Sequence, residues 1–208
     1  MGGEQFAVSS GFGAATVASD ALRGIDLSYQ IAVVTEGHSG LGLETSRALA
    51  QAGAQVIVTA KDAMAAYLNV RDISNVTVAQ LDLSSLGSIR DFAARHLATC
   101  RHIDILIANA EVMACPEIRV DLGLEAHFAT NHLGHYALVN LLWPALRGSA
   151  RVIVVSSANH HQSGIRWGDV QFRKRYDKWL AYAQSKTANV LFAVHLDRLG
   201  QREGGRAF

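Results

Sequence analysis

The sequence predicts an α/β fold, a doubly wound parallel sheet, and three observations carry the prediction. Five short β-branched runs, Ile31–Thr35, Gln55–Thr59, Val76–Leu81, Ile103–Ala108 and Arg151–Ser156, are nearly continuously apolar, as strands buried on both faces must be. Helical patterns lie between them, and such alternation implies parallel strands joined by right-handed crossovers. The 208 residues are 50% hydrophobic and 18% charged. That is enough for one sizeable core, with little room for a second domain.

Residues 1–29 carry Gly, Ser and Ala with weak periodicity and read as an N-terminal extension, loosely packed, ahead of a domain over 30–208. The first strand ends in Thr35-Glu36-Gly37-His38-Ser39-Gly40-Leu41-Gly42 and passes into a helix, Gly40–Ala52. Glycine in such a turn permits a tight reversal and lets the backbone approach a pyrophosphate at the helix N-terminus. The second strand ends near Ala60, where an acidic residue would hold the ribose hydroxyls of NAD. Here Lys61 follows instead, a cation that suits the 2′-phosphate of NADP. NADP is the favoured dinucleotide, and NAD stays open because Lys61 serves equally well as a solvated surface lysine.

A helix over Asp62–Leu68 leads to the third strand. Asp82 after it can accept from an adenine amino group or cap the next helix, Leu86–Thr99. Beyond the fourth strand a single long helix is expected over Leu122–Leu146, carrying Asn131, which can anchor a proton-relay water. Ser157, just past the fifth strand, is placed to hold a substrate oxygen. The last helix, Lys178–Gly200, carries Tyr182-Ala183-Gln184-Ser185-Lys186, a phenol and an ammonium on one helical face. A nearby ammonium stabilises phenolate and lowers the tyrosine pKa from about 10 toward neutrality. The phenol then exchanges a proton with a carbonyl or alcohol while a hydride moves.

Composition narrows the partners. With 19 Lys+Arg against 18 Asp+Glu the net charge is +1, which gives no global pull toward nucleic acid. Arg173-Lys174-Arg175 reads as a solvated face. Cys100 and Cys115 form neither a disulfide framework nor a CxxC pair, so reduced thiols and a cytoplasmic protein are expected. Residues 1–20 lack a signal-peptide pattern, no apolar stretch approaches a membrane span, and the Asn75-Val76-Thr77 sequon is read as chance. His132 and His135 are three apart, but no third ligand has suitable spacing, so no metal is expected.

Together, SGLG at the turn, LDLSSLGSI after the third strand, FATNHLGHY in the long helix, RVIVVSS at the fifth strand and YAQSKTANVLF in the last helix resemble the short-chain dehydrogenase/reductase superfamily, classical type, and its retinol-dehydrogenase-like members. The resemblance implies a Rossmann fold with Tyr182 as acid/base, Ser157 as its partner, Lys186 holding the nicotinamide ribose and lowering the tyrosine pKa, and Asn131 completing the tetrad. It implies dinucleotide contacts from Thr35, Gly37, Ser39, Gly40, Leu41, Gly42, Lys61, Asp82, Leu83, Asn109 and Ala110, besides Tyr182 and Lys186. A small-molecule alcohol or carbonyl substrate follows from the same resemblance, and a homo-oligomer is among the states it allows.

Three departures stand out. The family's TGxxxGxG turn has Glu36 in place of its first glycine, and its NNAG motif reads Ala108-Asn109-Ala110-Glu111. A carboxylate about 4 Å from a phosphate at an effective dielectric near 20 repels it by about 4 kcal/mol. Arg206-Ala207-Phe208 stands where the family's sixth strand is expected to begin, so a C-terminally truncated domain with a bare fifth-strand edge is expected. Two readings follow: an NADP-dependent oxidoreductase interconverting an alcohol and a carbonyl, or a degenerate, non-catalytic member that retains dimerisation or nucleotide binding.

Overall fold

The computed structural model describes residues 10–13 and 15–202, so residues 1–9 and 14 of the expected extension, and 203–208 at the other end, lie outside it. A short helix α1 (Ala18–Ala21) precedes β1 (Ile31–Thr35), α2 (Gly40–Gln51), β2 (Gln55–Ala60), α3 (Ala63–Val70), β3 (Val76–Gln80), α4 (Leu86–Ala98) and β4 (Ile103–Ala108). A two-stranded hairpin, β5 (Arg119–Val120) and β6 (Leu124–Glu125), leads into a π-helix (Phe128–Gly134), then α5 (His135–Leu142), β7 (Leu146–Val154) and α6 (Lys178–Arg202). The five-stranded sheet has the order β3-β2-β1-β4-β7, and every pair in it is parallel. The expected fold class is therefore observed.

The order of the strands follows from their burial. β1 is buried at all five positions and sits at the centre. One face of the sheet packs Val33, Leu106 and Val152 against Ile89, Phe92, Leu138, Leu142 and Phe192 from α4, α5 and α6. The other face packs Ala32, Val34, Val56 and Val58 against Leu49 of α2 and Leu27 of the lead-in. Leu27 is buried, so packing begins within the segment expected to be loose. Helix starts are written by caps: Asp62 accepts from the Ala65 N–H, and Ser85 from the Ser88 N–H.

The expected single helix over Leu122–Leu146 is not formed. Leu122 and Gly123 both take positive φ (60° and 72°) in the turn between β5 and β6. Helical structure starts only where the Glu125 carboxylate accepts the N–H groups of His127 (3.0 Å) and Phe128 (2.8 Å). Pro144 then falls in a 3₁₀ turn, Trp143–Ala145, that closes α5. β7 also differs from the expected Arg151–Ser156. It begins five residues earlier, at a register break opposite Ile103 and Ile105, and ends before Val155, so Ser156 and Ser157 lie beyond the strand.

The π-helix crosses the end of β3 closely. A Cβ on Gly134 would lie 2.3 Å from the Leu83 carbonyl oxygen, a backbone atom with little freedom to yield. Gly134→Ala is expected to cost about 1–3 kcal/mol, the usual penalty of overpacking, measured by urea unfolding. A chain of unchanged stability would show that the two segments separate easily.

Candidate active site

Four elements converge at the C-terminal edge of the sheet. From β1, the Thr35 hydroxyl accepts the N–H groups of Asn109 and Ala110, both at 2.8 Å. Asn109 Nδ2 donates to the Thr35 carbonyl at 2.8 Å, so the ends of β1 and β4 are stitched together. The Thr35 proton goes to His135 Nε2 at 2.9 Å, while Ile107 O lies farther, at 3.3 Å. His135 Nδ1 faces the Asn131 carbonyl at 2.9 Å and must donate there, which leaves Nε2 as the acceptor. Burial holds the His135 pKa down, to about 4, so this ring is neutral.

Asn131 lies in the π-helix, fully buried. Its Nδ2 donates to Val112 O and Ser185 Oγ, each at 3.0 Å, and its Oδ1 accepts the Val112 N–H at 2.8 Å. Both side-chain donors are thus committed to holding the loop after β4 against α6. His132, three residues before His135, turns instead to Asn189 at 3.3 Å, so the two rings serve different partners.

Tyr182 and Lys186 lie one turn apart on α6, with the ammonium 5.6 Å from the phenol ring centroid. Lys186 Nζ donates to Val155 O at 3.2 Å, and Ser157 lies close enough to the phenol of Tyr182 to pull its pKa down. Ser156, which precedes Ser157, does other work: its hydroxyl donates to the Lys186 carbonyl at 2.9 Å and fastens α6 to the end of β7.

Glu111 changes the expected electrostatics. One of its oxygens, Oε2, lies 2.6 Å from Lys186 Nζ and accepts the Tyr182 hydroxyl at 3.1 Å. The expected lowering of the Tyr182 pKa is corrected here: it is raised, first by burial and then by the Glu111 charge and hydrogen bond, with only Ser157 pulling it down. Sequence reasoning placed Glu111 beside the cofactor channel but missed both of these partners, and it missed His135 as a link. The sequence signal for Glu111 was its occupancy of a glycine position in the NNAG motif; for His135 there was none beyond its helical spacing from Asn131.

The dinucleotide side has its own features. Glu36 takes φ +50°, as a glycine position would favour. Burial raises its pKa, with the nearby Glu111 backbone and His38 pulling the other way. A Cβ on Gly42 would lie 2.5 Å from Glu36 O and 2.7 Å from Asn109 Nδ2, so α2 starts in close contact with both strand ends. Ser39 does not cap α2 with its side chain, and no acidic residue lies in the first turn. The N–H groups there remain open to an anion. His38 Nδ1, buried in the same turn, has no hydrogen-bond partner among the described residues.

Gly37 packs on Ser46 and Val34, Gly40 has φ +51°, and Leu41 projects into solvent. Farther along, a cavity of about 130 Å³ is lined by Glu36, Thr59, Lys61, Asp82, Leu83 and Ala110 among others. Lys61 Nζ lies 2.9 Å from Asp82 Oδ2, and the other Asp82 oxygen accepts from the Ser84 N–H and hydroxyl. This end fits a nucleotide: an uncapped helix start, a cation at the rim and a carboxylate that ties the turn before α4, whose cap is Ser85.

An open glycine turn over a doubly wound sheet, with a tyrosine–lysine pair and a serine at its carboxyl edge, defines a Rossmann-type fold with a candidate site at that edge. The family model described as short chain dehydrogenase matches residues 30–204, and the chain belongs to that family. It is 41% identical to retinol dehydrogenase 11 of Homo sapiens over 182 residues, which cover 84% of this chain and 57% of that protein. The crystal structure of an uncharacterised protein from Mycobacterium paratuberculosis superposes with a TM-score of 0.83 at 39% identity, over 92% of this chain and 69% of that one. A metagenomic short-chain oxidoreductase solved in complex with NADP superposes with a TM-score of 0.69 at 25% identity, over 87% of this chain and 80% of that one. The chain spans 57–66% of the length of the curated relatives it matches. Among the described residues, no helix is long and apolar enough to cross a membrane.

Proposed function

We propose that this chain carries the cofactor and proton-transfer site of an NADP-dependent oxidoreductase that interconverts an alcohol and a carbonyl. The observation that carries the reading is the meeting of Tyr182 and Lys186 on α6, with Ser157 beside the phenol at the sheet edge. When bound, the dinucleotide supplies or takes the hydride. Tyr182 holds the proton that the substrate oxygen gains or loses, and Ser157 shares that oxygen and orients it. Lys186 offers its ammonium to hydroxyl groups beside the phenol, and Asn131 keeps the loop after β4 in place through Val112. Thr35, Asn109 and Ala110 fix the floor of the groove. The NADP complex of the structural neighbour supports the choice of nucleotide, as does Lys61 at the rim of the adenosine-side cavity. Thiol usage is the sole support for a cytoplasmic location.

The test is a fluorescence titration with NADPH and NADH. Both are expected to saturate, NADPH at lower concentration, and Lys61→Ala is expected to erase the difference. A preference for NADH in the unmodified chain would remove the NADP assignment. A second reading, a non-catalytic member that retains the fold, is favoured by the Glu111 carboxylate seated on Lys186 and Tyr182. Failure of both nucleotides to bind would select it.

A further inference from the structure

Glu111 is flanked by a fixed backbone and carries a side chain that is open to solvent. Ala110 N–H donates to Thr35 Oγ1, and Val112 is clasped from both sides by Asn131, so the residues on either side of Glu111 are fixed. The side chain, by contrast, is 38% exposed and has a path to water. Its partner has none. The Lys186 side chain is 1% exposed, and among the described residues its ammonium has, apart from Glu111, the Val155 carbonyl at 3.2 Å. A buried ammonium requires oxygen partners, so whatever removes Glu111 must bring oxygens of its own. A single oxygen atom, Glu111 Oε2, takes both the ammonium and the phenol.

We propose that Glu111 is an internal competitor of the dinucleotide: its carboxylate occupies the Lys186 ammonium and the Tyr182 hydroxyl, and nucleotide binds by displacing it into solvent. The inference rests on the oxidoreductase reading above, because the displacing oxygens are those of the nucleotide's ribose. It gives the chain two states. In one the site is closed on itself, with the phenol held as a donor to a carboxylate. In the other Glu111 points outward and Lys186 serves the bound nucleotide. The backbone need not move between them, since its hydrogen bonds on either side of residue 111 do not involve the side chain.

The experiment uses the 208-residue chain and two variants, Glu111→Gly and Glu111→Gln, each checked for folding by its thermal transition. NADPH affinity is measured by fluorescence titration. Glu111→Gly is expected to bind at least tenfold more tightly than the unmodified chain, equivalent to about 1.4 kcal/mol. Glu111→Gln, which keeps the shape and removes the charge, is expected to fall between them and carries the comparison if the glycine variant does not fold. Without nucleotide, the Tyr182 phenol is titrated by its ultraviolet absorbance, with Tyr182→Phe as the blank. It is expected to ionise at lower pH in both Glu111 variants, since the carboxylate that opposes phenolate is gone while Lys186 remains. Equal NADPH affinity in all three chains, or a phenol titration that does not move, would overturn the competitor and leave the oxidoreductase reading standing. No NADPH binding by any of the three would overturn the oxidoreductase reading and the competitor with it.

Discussion

Replacing Tyr182 by phenylalanine is expected to lower alcohol or carbonyl turnover by about 10²–10⁴, the usual contribution of a positioned general acid or base. Nucleotide affinity should hardly change. The ring stays buried on α6, where its neighbours Ala181 and Ala183 are fully buried and fix the helix face. Lys186 keeps Val155 O and Glu111 as partners, so the ammonium does not lose its place. What disappears is the hydroxyl that donates to Glu111 and lies beside Ser157. Single-turnover rates with bound NADPH separate this from any effect on product release. Turnover that survives intact would place the acid on another residue.

Acidification should weaken the fold through His135. Its ring is fully buried and neutral, with its pKa pushed down to about 4 by burial, against an unfolded value of about 6.5. The unfolded chain therefore takes up the proton first. The stability that depends on a neutral His135 is complete above pH 6.5, falls as pH drops toward 4 and changes no further below that. The span of about 2.5 pH units amounts to about 3 kcal/mol. Protonation would also cost the Thr35 hydroxyl its acceptor, because both ring nitrogens would then donate. Urea unfolding at pH 7 and pH 4 in the unmodified chain and in His135→Gln isolates the effect. Glu125, held below the usual carboxylate range by His127 and two backbone N–H groups, adds its own acid-side loss to both chains and cancels in the comparison. An equal loss in the two chains would show that His135 is not the group responsible.

Much of the scaffold was legible because the physics was local. Strands buried on both faces leave little choice but apolar β-branched runs, so β1, β2 and β4 fall where Ile31, Gln55 and Ile103 begin them. Asp62 and Ser85 announce their helices by capping them. The site was legible only as a set of residue types. Tyr182 and Lys186 are neighbours on one helix, but the carboxylate that determines their electrostatics comes from 71 residues away. No periodicity carries that information. His135 and Thr35 are likewise 100 residues apart. The error over Leu122–Leu146 had a different origin: apolar residues recur there at helical spacing, while Leu122 and Gly123 adopt a left-handed turn that no such spacing reveals.

The π-helix over Phe128–Gly134 has a consequence for how that stretch is read as a helical wheel. A π turn closes i→i+5 rather than i→i+4, so it holds one residue more than an α turn. Each residue of an α-helix advances about 100°, and one extra residue offsets the phase of everything after it by about that angle. Phe128, Ala129 and Asn131 are buried on one side of the offset, and His135, Leu138, Val139 and Leu142 on the other. A wheel of constant pitch gathers Phe128, Asn131, His135, Leu138, Val139 and Leu142 into one stripe about 100° wide, so the sequence spacing hides the π segment. The extra residue of the π turn splits that single sequence stripe across two directions in space, turning Asn131 toward α6 and His135 toward β1.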